Sequence, residues 1–314
     1  MGLRSMTTKP RWFQVGGNLM KFLITLAATA LATSFAFASP TFFDASDFNV
    51  FVKQGFTAQN SDVQGRVAVG GNFNVQNYSV ASSLSGFTGD SLVVGGDFSY
   101  NNGQVFYGNV VTGDTTPNTP GMNVLHGTFS SGTAPSINFA NTMSMLTTVS
   151  SDLGLQPVLG VTSFNSGNLS LSGGTGAIRF YTVSASQLGS ANSFSINAPS
   201  GVTAIVNVTG TSASFQNAGF SLSGGITGDK VLLNFADATT LSLSGVGIFG
   251  SVLAPKADVT FGNGQLNGQL IANSFSGGGE MHINTFTGAL PVPEPASFAI
   301  LAIGGLGLLA RRRK

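Results

Sequence analysis

Short apolar runs separated by turn-forming residues recur through the middle of the chain, and they constrain its fold more than any other feature. Each run has four to six residues and is bounded by Gly, Asn, Ser or Asp. Runs of this length and setting indicate strands rather than helices. The runs at 66–69, 91–94, 203–208 and 269–272 are examples. The middle of the chain is therefore predicted to be mainly β.

Several runs also return at similar spacing. Val-Ala-Val-Gly-Gly-Asn-Phe at 67–73 returns 25 positions later as Leu-Val-Val-Gly-Gly-Asp-Phe at 92–98. Spacings of about 20–25 residues fit the coils of a β-solenoid, whose stacked coils share one core. The repeats are irregular, so an antiparallel β-sandwich is the alternative. Further repeats link 169–173 with 220–224 and 241–245, and 102–105 with 263–266.

Glycines and one helical segment complete the fold prediction. Gly-Gly and Asn-Gly pairs are expected at the corners, where tight turns need positive φ. A helix is predicted within 141–153, with Asn141 as its cap and Gly154 at its end. Leu146, Val149 and Leu153 fall on one face of this helix. We expect it to lie along a flank of the solenoid.

Charge and cysteine content exclude several classes of function. Only 8% of the 314 residues are charged and none is cysteine. Disulfides, thiolate catalysis and cysteine-based zinc sites are therefore excluded. The body, 39–290, has five basic and eleven acidic residues. A mildly acidic body argues against nucleic-acid binding, which needs cations to displace phosphate counterions.

The N-terminal region, 1–38, is predicted to be an extension followed by a secretory signal peptide. Met20 and Lys21 precede an uncharged run of apolar and small residues that ends in Ala-Phe-Ala. The small side chains of Ala36 and Ala38 fit the pattern that signal peptidase requires. Cleavage is expected after Ala38, and Met20 is the expected start of translation.

The C-terminal region, 291–314, has three parts in order. Pro293, Glu294 and Pro295 precede the uncharged run 296–310, and four cations end the chain. Fifteen residues in a helix span only about 22 Å, so this run is predicted to be a short transmembrane helix that spans with bilayer thinning and snorkelling of its flanks. The terminal cations should hold that end in the cytoplasm. They are Arg311, Arg312, Arg313 and Lys314.

This tripartite tail resembles the PEP-CTERM sorting signal. The resemblance implies recognition and cleavage near Pro-Glu-Pro by a membrane-embedded exosortase, followed by transfer to the cell surface or the extracellular polymer. An anchor that is never cleaved is the alternative.

A second resemblance covers nearly the whole body. Segments 48–51 and 61–72 at its start, and 250–259, 264–271 and 279–282 at its end, are similar to the choice-of-anchor A family. The resemblance implies an extracellular, adhesive domain that is joined to different surface anchors. It brings no catalytic residues with it.

The residues that could carry chemistry are few. Of the two histidines, His126 and His282, the second lies two positions after Glu280, so the two side chains would share one face of a strand. Such a pair could serve a surface hydrolase or a metal-dependent binding protein, which is the alternative function. The aspartates are scattered without a calcium-binding motif, although a calcium site could be assembled from separate coils. No catalytic, cofactor-binding or metal-binding residue is predicted.

Aromatic composition bears on the ligand. The chain has 26 Phe but 4 Tyr and 1 Trp, which indicates ladders of core rings rather than sugar-stacking platforms. Regular Thr-x-Thr coils, which would suit ice, are absent. The sequence thus predicts an exported, non-enzymatic protein of the cell surface or extracellular matrix, adhesive or structural in biofilm, with an unidentified matrix ligand.

Overall fold

The computed structural model describes residues 42–291, and their strands stack as the coils of a parallel β-solenoid. The main sheet has 19 strands, and every strand pair in it is parallel. A second sheet of four strands contains one antiparallel pair, Val161–Asn165 with Asn168–Ser172. The solenoid prediction is confirmed, and the sandwich alternative is wrong.

The first half of the solenoid contains nine strands and is preceded by a 3-10 helix, Phe43–Asp47. Helix α1, Phe139–Gly154, follows it. The strands are β1 Val50–Val52, β2 Phe56–Val63, β3 Val67–Val69, β4 Phe73–Val80, β5 Asp90–Val94, β6 Phe98–Tyr107, β7 Asn109–Thr112, β8 Met122–His126 and β9 Phe129–Ser130.

The second half contains fourteen strands, a short helix α2, Ala185–Gly189, and a 3-10 helix, Gly228–Lys230. The strands are β10 Val161–Asn165, β11 Asn168–Ser172, β12 Ile178–Ser184, β13 Ser193–Asn197, β14 Thr203–Thr209, β15 Ser212–Gln216, β16 Gly219–Ser223, β17 Val231–Asn234, β18 Thr240–Ser244, β19 Val246–Phe249, β20 Ser251–Phe261, β21 Gly264–Asn267, β22 Leu270–Gly277 and β23 Glu280–His282.

The chain does not add its coils in one direction. Val50 of β1 pairs with Val67 of β3 on one side and with Leu270 of β22 on the other. The first half therefore builds outward from the middle through β3, β5 and β7 to β9. The second half begins at the opposite end with β12 and returns through β14, β17 and β20 to β22. The first and last coils are neighbours, an arrangement that the sequence analysis did not predict.

The pairings form three stacks of strands around one core. The covered face consists of β1, β3, β5, β7, β9, β12, β14, β17 and the first parts of β20 and β22. The polar face consists of the first parts of β2, β4 and β6, with β15, β18 and the last parts of β20 and β22. The third face consists of the remaining parts of β2, β4 and β6, with β8, β10, β11, β13, β16, β19, β21 and β23.

The sequence repeats mostly mark equivalent positions. Val67 pairs with Leu92 and Phe73 with Phe98, so the 25-residue repeat is one coil. Gly103 and Gly264, from the two Asn-Gly repeats, have similar φ values of 141° and 135°. One repeat is an exception: the copies at 169–173 and 220–224 lie in β11 and β16 on the third face, whereas that at 241–245 begins in β18 on the polar face.

Phenylalanine rings stack from coil to coil inside the solenoid. Ring centroids are 4.8 Å apart between Phe275 and Phe56, 5.3 Å between Phe56 and Phe73, and 5.5 Å between Phe73 and Phe98. Phe129 continues the ladder 5.7 Å from Phe98. Such offset pairs add about 0.5–1.5 kcal/mol each to the burial of their area. The prediction that Phe forms core ladders is confirmed.

Helix α1 lies on the covered face, as predicted, but it begins earlier than expected. Its N-cap is Asn138, whose side-chain oxygen accepts a hydrogen bond from the Asn141 N–H. Asn141 is thus inside the first turn and is not the cap. Leu146 and Leu153 are buried in a second hydrophobic cluster with outward-facing residues of the covered face such as Phe51. Side chains on both sides of the covered face are therefore shielded from water where the helix packs.

A chain of buried amides fixes the helix to that face. Ser150 Oγ donates to Asn234 Oδ1 at 2.6 Å, and Asn234 Nδ2 donates to Asn207 Oδ1 at 2.8 Å. Asn207 Nδ2 then donates to the Leu153 carbonyl at 2.8 Å. A buried polar group costs free energy unless it is paired, so this set favours one position of the helix.

Two buried amide side chains fix the junction of the first and last coils. Gln269 Nε2 donates to the carbonyls of Ser46 and Phe48, at 3.0 and 2.8 Å, and its Oε1 accepts from the Phe286 N–H at 3.1 Å. Asn49 Nδ2 donates to the Gly268 carbonyl at 2.7 Å. Apart from the Phe286 bond, these bonds join residues more than 200 positions apart in sequence, so they form only when both halves are in place.

Glycines at the corners have two different roles. Gly103 has the expected positive φ, and a Cβ there would collide with the Tyr78 carbonyl oxygen. The Gly-Gly pairs at 173–174 and 224–225 also have the expected positive φ, whereas Gly70 and Gly95 have ordinary φ. A Cβ on either would overlap a carbonyl oxygen of the neighbouring coil, so these two are required by close stacking of the backbone.

Replacing Gln269 by leucine should lower the free energy of unfolding by about 3 kcal/mol, because buried carbonyls and an N–H lose their partner. Chemical denaturation followed by circular dichroism measures this. Gln76→Leu is the matched control on the exposed polar face and should change the value by less than about 0.5 kcal/mol. Equal losses in the two variants would contradict this account of the junction.

Replacing Gly103 by alanine should destabilise the protein by on the order of 3 kcal/mol, because strain in φ and a collision with backbone act together. Gly219→Ala is the control, since its φ is ordinary and its surroundings are open. That variant should be as stable as the parent or slightly more stable. Thermal unfolding of both variants measures the difference; similar midpoints would show that the corner tolerates a side chain.

Candidate binding face

Because side chains alternate in direction along the strands, the polar face has one side buried in the core and one side exposed to solvent. In β2, Phe56 and Ala58 are buried while Thr57 and Gln59 are exposed. Successive side chains of a strand point to opposite sides of the sheet, so the same alternation repeats in each coil. The ladder of Phe rings lies beneath, and polar groups face solvent above it. Helix α1 does not cover this face, and the short helix α2 packs against β15 at the end nearest β12.

One outward row crosses both halves of the solenoid without a charge. Its eight positions are paired in register from coil to coil, and every side chain is a hydroxyl or an amide. At about 4.8 Å between strands, the row is about 34 Å long. In order, it contains Asn118, Ser99, Asn74, Thr57, Ser276, Thr260, Ser242 and Ser214.

A groove lies at the middle of this face, where the two halves meet. It has a volume of about 550 Å³. Its polar walls come from β2 and β4, and glycines leave space on the opposite side because they have no side chain. The lining consists of Thr57, Ala58, Gln59, Asn60, Asn74, Gln76, Gly262, Asn263, Gly277 and Gly278. Amides both donate and accept hydrogen bonds, so the groove suits a neutral ligand rich in hydroxyl or amide groups.

An asparagine ladder borders the groove at the corner of the polar and third faces. Asn77 Nδ2 donates to Asn60 Oδ1 at 2.9 Å, and Asn102 Nδ2 donates to Asn77 Oδ1 at 2.8 Å. All three have positive φ, from 48° to 60°, a conformation that asparagine tolerates better than most residues. The ladder aligns the corners of three coils and fixes the orientation of their side-chain amides.

The third face brings Glu280 and His282 together, as their spacing predicted. His282 Nε2 lies 3.2 Å from Glu280 Oε2, and its Nδ1 lies 3.1 Å from Asn267 Oδ1. Asp62 lies on the adjoining strand. Burial, and next the negative charge of Glu280, raise the pKa of the Asp62 carboxyl above its usual value. Within residues 42–291, no group of three His, Cys, Asp or Glu side chains could hold a metal ion.

The other sequence candidates are separated from this pair. His126 is exposed in β8, where its ring stacks on Tyr107 with centroids 5.0 Å apart. Asp258, on the polar face, accepts hydrogen bonds from Asn273 and Ser274 at 2.8 and 2.6 Å. The Gly-Gly pair at 95–96 lies at a corner, where it stacks on the preceding coil.

Sequence analysis did not find the polar row or the groove. Thr57 and Ser276 are neighbours in the structure but more than 200 positions apart in sequence, and their pairing depends on the junction. The spacing of Thr57, Asn74 and Ser99 resembles the coil repeat, and this was the available signal. This signal covers only the part of the row that lies in the first half of the solenoid.

The predicted processing residues lie outside the described residues. These are Ala36 and Ala38 of the signal peptide, and Pro293, Glu294, Pro295, Arg311, Arg312 and Arg313 of the sorting signal. In the described part of the chain, no helix has both the length and the apolar character needed to cross a membrane.

Comparison with known proteins gives family matches over most of the chain. A family described as an ice-binding-like adhesive domain matches residues 42–283, and the PEP-CTERM protein-sorting motif matches residues 291–314. No curated protein matches the sequence.

Three solved structures are similar in fold. An ice-binding protein from an Antarctic biological consortium is 14% identical with a TM-score of 0.43, and the match covers 80% of this chain and 92% of the other. One from the Antarctic ascomycete Antarctomyces psychrotrophicus is 11% identical, with a TM-score of 0.36 and coverage of 79% and 99%. One from an Arctic yeast is 13% identical, with a TM-score of 0.37 and coverage of 80% and 95%.

The family match, which spans most of the chain, and the sorting motif agree with the resemblances found in the sequence. The motif marks an exported protein that is anchored at the membrane before exosortase processes it. The chain belongs to the family of ice-binding-like adhesive domains, here joined to a PEP-CTERM sorting signal.

Proposed function

We propose that this protein is a surface or extracellular-matrix adhesin that binds a neutral, hydroxyl-rich extracellular polymer along its polar face. The observation that carries the proposal is the uncharged row of eight hydroxyl and amide side chains, continuous across both halves. A long polymer can contact many such groups in sequence. Because each contact is weak, affinity comes from their number and from the rigid backbone that holds them in register.

The groove supports the same proposal. Gln59, Gln76 and Asn263 offer amide donors and acceptors, and the facing glycines let a chain approach the backbone closely. Tyr78 and Tyr100 are buried, so sugar stacking on these rings is not part of the proposal. Hydrogen bonding to a neutral polymer fits the composition of this surface better than stacking or charge pairing does.

Ice is a less suitable ligand for this face. The similar solved structures are described as ice-binding proteins. However, the outward row here contains two threonines, Thr57 and Thr260, among serine and asparagine of different size and reach. The uneven row favours a flexible, hydrated polymer over a regular crystal surface.

Asn74→Arg should weaken binding to purified extracellular polysaccharide of the native host about tenfold or more, because an unpaired guanidinium would have to lose water at the contact. Biolayer interferometry with immobilised polymer measures this. Asn123→Arg is the matched control: it also replaces an exposed asparagine, but on the third face. Its affinity should equal that of the parent.

A further control separates adhesion from chemistry on the third face. The double variant Glu280→Gln, His282→Asn should bind polymer as the parent does. If it loses binding while Asn74→Arg keeps it, the polar-face proposal is wrong and the acid–histidine pair becomes the binding site.

The sorting residues are proposed to act through the exosortase. Replacement of Pro293, Glu294 and Pro295 by alanine should leave the protein in the membrane fraction with its mass intact to Lys314. The parent should appear at the surface or in the medium with a product that begins near Ser39 and ends near Pro293. Intact-mass spectrometry of the fractions measures both; normal release of the variant would contradict this role.

A further inference from the structure

Four exposed apolar side chains lie close together at the β12 end of the solenoid. Leu155, Val158, Leu159 and Val161 have exposed fractions of 82%, 54%, 44% and 59%. They belong to one segment, 155–161, that connects α1 to β10 and contains no charged residue. We call these four side chains the end patch. Scattered exposed apolar residues are common, but four within seven residues suggest a contact surface.

The segment that carries the end patch runs over the free edge of β12. The Leu159 and Gly160 N–H groups donate to the Phe180 carbonyl at 3.0 and 3.1 Å. Thr162 Oγ1 donates to the Thr182 carbonyl at 2.9 Å. The hydrogen bonds fix the segment at the last coil, so its apolar side chains lie at the end of the stack.

The described chain also leaves the domain near this end. Ala289 N–H donates to Thr203 Oγ1 at 2.8 Å, and Thr203 pairs with Ile178 of β12. Leu290 is buried in the same cluster as Ile178. Residue 291 therefore lies about one strand spacing from β12, the strand that ends the stack. The opposite end, at β9, is nine strand spacings away on the covered face, or about 43 Å.

The length of the following chain limits how far this end can be from a bilayer. Four residues, 292–295, separate residue 291 from the apolar run that begins at Ala296. Fully extended, the five steps from residue 291 to Ala296 span at most about 18 Å. While the protein is anchored, the β12 end must therefore stay near the membrane surface, whereas the β9 end need not.

We propose that the end patch rests on the lipid bilayer while the chain is anchored, so that the solenoid stands on its β12 end. The patch buries apolar side chains at the boundary of headgroups and acyl chains, and no charge in 155–161 has to lose its water. The polar face then extends away from the membrane over its whole length and is accessible to polymer from the side. This inference depends on the anchored state and not on the identity of the polymer.

Site-specific fluorescence tests the proposal, because the chain has no cysteine of its own. Single variants Val158→Cys and Leu125→Cys are labelled with an environment-sensitive dye in the full-length protein. Leu125 is the matched control, since it is also a half-exposed apolar residue but lies in β8 at the other end. Each protein is reconstituted in phosphatidylethanolamine–phosphatidylglycerol vesicles with or without spin-labelled lipid.

Spin-labelled lipid should quench the label at 158 at least about threefold more than the label at 125, since a membrane-bound side chain lies about 5–10 Å into the interface. Equal quenching at the two sites would overturn the proposal. So would a blue shift at 158 that grows with protein concentration in lipid-free detergent, because that result would assign the patch to a second copy of the chain. Polymer binding measured on the same samples reports the polar face separately.

Discussion

The pairing of β1 with β22 is the contact on which the rest of this structure depends. Each half of the solenoid has an open edge in the middle of the molecule, and unpaired strand edges favour association with other chains. The junction pairs both edges within one chain, and Asn49 and Gln269 satisfy the buried backbone groups around it. Because the amides reach segments far apart in sequence, their bonds are complete only in the register that brings the two halves together.

The same junction creates the proposed binding surface. The groove takes its walls from β2 and β4 of the first half and from glycines of the second half, so it is absent from either half alone. The polar row is likewise continuous only across the Thr57–Ser276 pair. Helix α1 has the opposite effect on the covered face, where it excludes water from residues such as Phe51. Helix α1 leaves the polar and third faces uncovered, and of these two the polar face has the long uncharged row.

Sequence was sufficient for most of what depends on local pattern. Alternation, turn residues and the 25-residue repeat of Val67 and Leu92 predicted strands, coils and a flanking helix, and the excess of Phe predicted the ring ladder. Asn138 was missed as the cap because Asn141, three positions later, has the same side chain. The order of the coils was unpredictable for a different reason: a repeat shows that coils stack, but not which coil is the neighbour of the first.

That limit also explains why the binding face was not found from motifs. A catalytic or metal site concentrates its function in a few chemically distinctive residues, whereas the proposed function of this face is distributed over serine, threonine, asparagine and glutamine that are individually ordinary. Their arrangement is set by main-chain hydrogen bonds between coils, which hold neighbouring side chains about 4.8 Å apart. A surface of this kind can change many of its side chains and keep its spacing. The properties such a surface offers a partner are therefore its length and its neutrality, which no single residue of the row determines.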